Sequence, residues 1–251
     1  MPNCLIYRGR GVALFGIREL TRSLKACLPQ GWTVQYVSAQ ELQDPTTFSN
    51  LDLLVFPGGR DVPYHEDLGG APNHAIRQFV LEGGRYLGVC AGAYYGCASV
   101  VFEPNTDIEV IGPRDLAFFP GVGKGCVFNS GRFHYDSEEV AEASQIEVGN
   151  TLLDMYYNGG CSFDAPEVHK TVQVIGRYVD APNKPAAIVQ CSVGKGFALL
   201  CGPHIDYSPS RMLRSGLCKE KVRRLQAADC MRRQLFSELL LHLVAPNELG
   251  K

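Results

Sequence analysis

The sequence predicts an α/β fold whose sheet is made of mainly parallel strands, and two observations lead to this prediction. Short apolar runs alternate with segments of helical periodicity, in the order strand, helix, strand, strand, helix, strand, helix. Several of the apolar runs end in glycine-rich turns, which mark the points where strands give way to loops.

The first half of the chain contains four strand-like runs that are short and rich in apolar residues. They are residues 3–7, 32–37, 50–56 and 85–89. Helices are predicted between them at residues 16–28, where apolar residues recur every three or four positions, and at residues 74–81. A further helix is expected over residues 91–102, directly after the fourth strand.

The second half begins with an irregular region at about residues 103–165, where we expect loops, short strands and one acidic helix near residues 136–147. Three strands are predicted after it: residues 171–179, 186–191 and 197–201. Residues 219–244 carry an apolar stripe at helical spacing and predict a long helix that covers one face of the sheet. Because no internal repeat or clear linker interrupts the pattern, we expect a single domain over residues 1–251 with an insertion at about 103–165.

The overall composition argues against several classes of protein. Hydrophobic residues make up 45%, charged residues 20%, and the formal net charge is -2, so no basic surface for nucleic acid is indicated. No apolar run is long enough to span a bilayer, and the N-terminal run is too short for a signal peptide. The 10 cysteines are scattered, without C-x-x-C or zinc-ligand spacing. We therefore expect a cytoplasmic protein with reduced thiols, no metal site, no organic cofactor and no membrane or nucleic-acid partner.

Cys90 stands out from the other cysteines because it lies in the segment GVCAGAYYG. Gly88 and Gly92 flank it two residues away on each side, in the strand–turn–helix setting of a nucleophile elbow. The start of a helix favours a thiolate, and the N–H of Ala91 would point towards a developing oxyanion. The alternative is a core cysteine in a tight turn, which is our interpretation of the other cysteines.

Of the six histidines, His204 is the best candidate for the base, since it follows an apolar strand in the segment FALLCGPH. The carboxyl ends of parallel strands share one edge of a sheet, so His204 and Cys90 are expected to meet there. Asp206 could hold the imidazole in one tautomer, although it could also simply cap a turn. Gly58 or Gly59, in FPGGRD, could supply a second oxyanion donor, or could belong to a loop that needs positive φ.

Together these features resemble the class I glutamine amidotransferase-like superfamily. The segments LIYRGRG, FPGGRD, GVCAGAYYG, YNGG and GPHIDY narrow the resemblance to the N-terminal domain of biotin–protein ligases, also found as stand-alone bacterial proteins. The resemblance covers most of the chain. It implies a flavodoxin-like three-layer α/β/α sandwich with Cys90, His204 and Asp206 at the triad positions.

Two departures from the superfamily pattern affect the expected activity. Working glutaminases usually carry a glutamine shortly after the nucleophile, where this chain has Ala93, Tyr94 and Tyr95. The usual H-P-E is replaced by His204-Ile205-Asp206, so that Glu66 or another carboxylate could orient the imidazole instead. Little chain would remain for a ligase core, and we do not expect this chain itself to be a biotin ligase.

We therefore expect a cysteine-dependent amidase or hydrolase with a Cys-His-Asp triad, acting on a small acyl or amide substrate. The N–H groups of Gly59 and Ala91 would form the oxyanion hole. The substrate pocket is predicted to include Gly58, Arg60, Tyr94, Tyr95, Asn158 and Gly159. The alternative is a catalytically lapsed module that binds a small molecule or has a regulatory role. The sequence identifies neither the substrate nor a protein partner.

Overall fold

In a computed structural model of the protein, which describes residues 1–210 and 217–245, the strands are joined in one sheet. The strands of its first half are β1 (Asn3–Tyr7), β2 (Thr33–Val37), β3 (Leu53–Phe56), β4 (Arg85–Val89), β5 (Cys97–Phe102) and β6 (Val110–Pro113). They are followed by β7 (Phe119–Gly125), β8 (Glu142–Val148), β9 (Thr151–Tyr157), β10 (Ser162–Phe163), β11 (Val172–Tyr178), β12 (Ala186–Val193) and β13 (Gly196–Cys201). The helices are α1 (Leu14–Cys27), α2 (Asp61–Leu68), α3 (Ala71–Leu81), α4 (Ala91–Tyr95) and α5 (Lys219–Val244).

Five adjacent strands form a parallel half-sheet in the order β2-β1-β3-β4-β13. All their carboxyl ends therefore lie along one edge, which is where ligand sites collect in α/β sheets. The FPGGRD loop follows β3, Cys90 follows β4, and the GPHIDY segment follows β13. The predicted meeting of these three segments at one edge is thus a consequence of strand order.

Helices cover both faces of this half-sheet, because successive strand residues point to opposite sides. In β1, Leu5 and Tyr7 belong to a core cluster shared with α2 and α3, whereas Cys4 and Ile6 belong to a second cluster shared with α1 and α5. The resulting arrangement has helices, sheet and helices in three layers. It confirms the predicted flavodoxin-like α/β/α sandwich.

Beyond β13 the sheet continues through strands that are paired mostly in antiparallel fashion. The order is β12-β10-β7-β5-β6, with β11, β8 and β9 branching from β12, and only β5 and β7 pair in parallel. The mainly parallel order expected from the sequence therefore applies to the half that carries Cys90. The region at residues 103–165 contributes β6 to β10 to the same sheet. Residues 211–216 and 246–251 of the predicted domain lie outside the described part of the chain.

Two predicted helices are wrong, and in both cases strand pairing overrides the local pattern. The helix expected over residues 91–102 ends at Tyr95, and residues 97–102 form β5, where Val100 and Val101 are stiff β-branched side chains that suit a strand. The acidic helix expected near residues 136–147 is absent from the described chain. Its second half forms β8, which pairs along its whole length with β9. Within the described residues, no helix has the length and apolarity needed to cross a membrane.

Candidate active site

Cys90 sits in a strained turn between β4 and α4. Its backbone has φ of 52°, in a region that non-glycine residues rarely occupy, and strain of this kind costs roughly 1–3 kcal/mol. The turn is fixed by a 2.8 Å hydrogen bond from the Cys90 N–H to the carbonyl of Cys201 at the end of β13. The surrounding structure therefore holds this thiol in place at the carboxyl edge of the sheet.

The two flanking glycines are required because the elbow is packed tightly against backbone. A Cβ atom on Gly88 would lie 2.3 Å from the Gly92 carbonyl oxygen, and one on Gly92 would lie 2.1 Å from the Phe56 carbonyl oxygen. Neither contact could be relieved without moving main chain. The G-x-C-x-G spacing thus has the steric origin that the sequence indicated.

His204 lies next to Cys90, three residues beyond the end of β13. Its N–H donates to the Tyr156 carbonyl over 2.8 Å, and its side chain hydrogen-bonds with that of Cys90. Gly58 packs against both side chains. A Cβ atom there would lie 2.5 Å from His204 Cε1 and 3.4 Å from Cys90 Cβ. The structure therefore brings the predicted nucleophile and base together, with Gly58 leaving the space for their contact.

Asp206 is buried behind the imidazole, and its Oδ1 lies 3.3 Å from His204 Nδ1. Two helices of the same layer hold this segment by its backbone. Ser23 in α1 donates to the Asp206 carbonyl over 2.6 Å, and the buried Arg232 in α5 donates to the carbonyl of Ile205. Because Asp206 occupies Nδ1, the hydrogen bond with Cys90 falls to Nε2, as in a Cys-His-acid arrangement.

The charge state of His204 follows from these contacts. Burial lowers the pKa of His204, but the negative charge of Cys90 and the hydrogen bonds with Asp206 and Cys90 outweigh burial and raise the pKa from 6.5 to about 10. The imidazole is therefore protonated at neutral pH.

Glu66, the alternative partner for the imidazole, does not take that role. Its carboxylate pairs with Arg10 over 2.9 Å, and its side chain is 53% exposed. The carboxylate beside His204 is that of Asp206.

The two N–H groups predicted as oxyanion donors have no backbone acceptor among the described residues. Gly59 adopts φ of 145°, and a Cβ atom there would lie 2.0 Å from the Gly11 carbonyl oxygen, so this position requires glycine. Ala91 opens α4, which has only five residues and is shorter than predicted. Both residues border a small recess beside Cys90.

A cavity of about 520 Å³ opens over Cys90 and His204. It is bordered by the predicted residues Gly59, Arg60 and Asn158, and its inner recess by Tyr94 and Gly159. Within the recess, the hydroxyl of the buried Tyr94 donates to the Gly159 carbonyl over 3.1 Å.

The prediction for Tyr95 is wrong. Its side chain is fully buried on the far side of α4, where it packs against Phe56 and Tyr64 and its hydroxyl donates to Asn73. Successive residues of a helix face different directions, so Tyr94 and Tyr95 cannot share the pocket.

Sequence reasoning missed the aromatic wall of the cavity. Tyr156 and Tyr207 stack with ring centroids 5.1 Å apart, and the Tyr207 centroid lies 4.1 Å from that of His204. Phe133 and Tyr135, from the segment between β7 and β8, complete the wall. Tyr207 could have been predicted, because it ends the GPHIDY segment. Phe133 and Tyr135 lie far from any motif and are brought to the site by the extension of the sheet.

A larger cavity of about 980 Å³ lies at the opposite edge of the sheet, bordered by Trp32, Phe48 and Phe79. It lies at the amino ends of the strands, away from Cys90. We place the candidate active site at the smaller cavity, because a thiol, an imidazole and a carboxylate are in contact there. In the described residues, no group of three or more His, Cys, Asp or Glu side chains is placed to hold a metal ion.

Comparison with solved structures supports the fold. A glutamine amidotransferase superposes with a TM-score of 0.58 at 17% identity, covering 96% of this chain and 98% of that one. PurLQS from Thermotoga maritima superposes with a TM-score of 0.55 at 15% identity, covering 92% and 98%. At these identities the likeness concerns the fold alone.

Comparison with known sequences gives the family. An uncharacterized protein of Chlamydia muridarum is 40% identical over 214 residues, which are 83% of this chain and 82% of the relative. The biotin–protein ligase of Schizosaccharomyces pombe is 37% identical over 213 residues, or 82% of this chain but only 33% of the ligase. The family described as biotin-protein ligase, N terminal, matches residues 2–247. With the elbow at Cys90 and the His204 segment at the same sheet edge, this chain belongs to the biotin-protein ligase N-terminal family.

Proposed function

We propose that this chain is a cysteine-dependent amidase-like hydrolase that acts on a small acyl or amide substrate. The observation that carries the proposal is the contact between Cys90, in its strained turn, and the buried His204 beside Gly58. Nucleophile, base and orienting carboxylate are thus within reach of one another, as covalent catalysis by a cysteine requires.

In the first half of the reaction, the Cys90 thiolate attacks the carbonyl carbon and forms a carbon–sulfur bond. The carbonyl oxygen takes the negative charge, and the N–H groups of Gly59 and Ala91 donate to it. His204 then gives its proton to the leaving nitrogen, the carbon–nitrogen bond breaks, and an amine leaves behind a thioester on Cys90.

In the second half, the neutral His204 takes a proton from water as the water oxygen attacks the thioester carbon. The tetrahedral intermediate collapses, the carbon–sulfur bond breaks, and the acid leaves while Cys90 returns to the thiolate. Asp206 keeps its contact with Nδ1 throughout, which holds Nε2 towards the reacting atoms.

The test is the rate at which each cysteine is alkylated by iodoacetamide at neutral pH, followed by mass spectrometry of peptides. Cys218 and Cys230 are exposed and serve as internal references, whereas Cys90 is only 6% exposed. A thiolate held beside an imidazolium should react faster than the exposed thiols in spite of its burial. His204→Ala should abolish that advantage.

Hydrolysis by the wild-type protein is then sought across a panel of amides, esters and thioesters, with Cys90→Ser as the matched control. Equal alkylation of Cys90 and the exposed cysteines would contradict the proposal. It would favour instead a module of the same fold that binds a small molecule without chemistry.

A further inference from the structure

The loop between β1 and α1, residues 8–13, carries the RGRG motif, to which the proposed reaction gives no role. Two backbone hydrogen bonds join this RGRG loop to the loop that follows β3. The Ala13 N–H donates to the Gly58 carbonyl over 3.2 Å, and the Arg60 N–H donates to the Gly11 carbonyl over 2.8 Å. The two loops therefore form a short antiparallel ladder at the carboxyl edge of the sheet.

This ladder fixes the direction of the peptide bond between Gly58 and Gly59. Gly59 faces Val12 at the position between the two hydrogen bonds. In an antiparallel pair, a residue at such a position directs its own N–H and carbonyl away from the partner strand. The planar trans peptide requires the same, since the Gly58 carbonyl and the Gly59 N–H point in opposite directions. The Gly59 N–H therefore points away from the RGRG loop, and Gly59 borders the recess beside Cys90.

The peptide bond between Gly58 and Gly59 needs a hold from outside. Glycine has few steric limits on φ and ψ, so a peptide bond between two glycines can turn over at little conformational cost. Turning it over would reverse the direction of the Gly59 N–H and would break the hydrogen bond between Ala13 and the Gly58 carbonyl. The hydroxyl of Tyr64, which lies 3.4 Å from the same carbonyl oxygen, would lose its contact as well. The RGRG loop thus opposes a motion that would remove a donor from the oxyanion hole.

Gly11 seats the RGRG loop against the start of α2. Its φ is 84°, and a Cβ atom there would lie 2.4 Å from the Arg60 carbonyl oxygen. Because no side chain fits into this gap, only glycine lets the two backbones approach closely enough for the hydrogen bond from the Arg60 N–H. The ion pairs of Arg10 with Glu66 and Asp67 contribute little to the hold, since the Arg10 side chain is largely exposed.

We propose that Gly11 and Ala13 are positioning residues for the oxyanion hole, whose backbone groups hold the Gly59 N–H towards the oxygen of the tetrahedral intermediate. This inference rests on the proposed function and adds to it the part played by the RGRG loop. The two residues act through Gly59 and not on the thiolate. Loss of their hold should impair a reaction that passes through an oxyanion and should spare a reaction that needs only the thiolate.

The experiment compares two reactions of Cys90 on the full chain. p-Nitrophenyl acetate acylates the thiolate: a carbon–sulfur bond forms, an oxyanion develops on the carbonyl oxygen, and p-nitrophenolate leaves. Iodoacetamide alkylates the same thiolate by direct displacement of iodide, without an oxyanion. The rate of p-nitrophenolate release, less that of Cys90→Ala, is divided by the rate of Cys90 alkylation. A general loss of thiolate reactivity lowers both rates and leaves this ratio unchanged.

Ala13→Pro removes the N–H that holds the Gly58 carbonyl. The φ of Ala13 is -72°, which proline adopts without strain. We expect the ratio to fall about tenfold or more, because loss of one oxyanion donor costs about a hundredfold to a thousandfold in rate. Leu14→Pro is the matched control. It places proline at the first position of α1, where proline is favoured, leaves the Ala13 N–H intact and should keep the wild-type ratio.

Gly11→Ala tests the other hydrogen bond, because the new Cβ would push against the Arg60 carbonyl. Its control is Gly31→Ala, at a glycine with φ of 89° and no atom within 4 Å of the added Cβ. The two substitutions impose similar backbone strain, but only Gly11→Ala should lower the ratio. Circular dichroism melting checks that the variants fold.

Hydrogen exchange in the wild-type protein tests the hold without any variant. The Ala13 amide should exchange more slowly than the Leu14 amide, which has no acceptor among the described residues.

Unchanged ratios in Ala13→Pro and Gly11→Ala, with p-nitrophenolate release still dependent on Cys90, would overturn this inference and leave the hydrolase proposal intact. Equal exchange rates for the two amides would overturn it as well. If the wild type releases p-nitrophenolate no faster than Cys90→Ala, the hydrolase proposal itself fails.

Discussion

The Nδ1 atom of His204 lies 3.3 Å from Oδ1 of Asp206, and both side chains are almost completely buried. This contact is held from outside the sheet, because α1 and α5 each donate a hydrogen bond to the backbone that carries the two residues. The other oxygen of Asp206 has no hydrogen-bond partner among the described residues, so the imidazole is the side-chain group to which this carboxylate is directed.

Asp206→Asn should slow the alkylation of Cys90 at neutral pH. The substitution keeps the shape of the side chain but removes a group whose hydrogen bond helps to raise the pKa of His204. We expect a loss of about tenfold or more in the iodoacetamide rate constant, because a hydrogen bond to a charged group is worth about 1.5–3 kcal/mol and this one holds the imidazole against Cys90. Asp107→Asn, at an exposed position, is the control and should react like the wild type.

The titration of His204 should change when Cys90 is removed. In the wild type, NMR of the histidine ring should give a midpoint near pH 10, the value to which Cys90 and Asp206 raise the pKa. In Cys90→Ala the negative charge is gone while burial still opposes protonation, so the midpoint should fall. A midpoint unchanged by the substitution would show that the two groups are not coupled.

The raised pKa of His204 predicts how the free energy of unfolding changes with pH. A group whose pKa is higher in the folded state than in the unfolded state contributes its full stabilisation at pH values below its unfolded pKa, which is 6.5 for His204. That contribution is lost as the pH rises through about 10. Urea denaturation at pH 7 and at pH 10.5 should therefore show a larger loss of stability with pH for the wild type than for His204→Gln.

Gly58→Ala should reduce Cys90 reactivity by displacing the imidazole. The added Cβ would lie 2.5 Å from His204 Cε1, closer than real contacts allow. A displacement of about 1 Å in a catalytic group can cost about a hundredfold in rate, and we expect a loss of that order. Gly112→Ala in β6 is the matched control, because the nearest atom to its new Cβ is 3.8 Å away. Equal rates for the two variants would mean that the space left by Gly58 does not matter to Cys90 and His204.

Arg114→Met should destabilise the protein through a residue that does not itself border the cavity. Arg114 donates to Asp61 over 2.7 Å, and the two side chains are 5% and 11% exposed. Burial raises the pKa of Asp61 although Arg114 opposes the shift, so an unpaired Asp61 would be a costly buried charge. We expect a loss of about 3–5 kcal/mol in the free energy of unfolding.

The control for Arg114 is Lys124→Met, which breaks the half-exposed pair with Asp164. An exposed pair is worth less than about 1 kcal/mol, so the two variants should differ clearly in urea denaturation. Similar losses for both would show that burial of the Asp61–Arg114 pair carries no special cost.

The parallel half of the sheet and the three segments at its carboxyl edge could be predicted from the sequence. Apolar runs of strand length, the glycines around Cys90 and the position of His204 after a strand are local signals, and strand order then places them together. The glycines around Cys90 could be recognised because the G-x-C-x-G spacing is a short local pattern, although Gly92 is required by its close approach to Phe56 in β3.

Which side chains surround Cys90, His204 and Asp206 depends on tertiary contacts. Tyr94 and Tyr95 are adjacent in sequence, yet the turn of α4 sends one to the cavity recess and the other into the core. Residues 97–102 form a strand because they pair with β6 and β7. Phe133, Tyr135 and Tyr156 in the aromatic wall come from the extension of the sheet, whose pairing joins distant segments, and such long-range contacts leave no periodic trace in the chain.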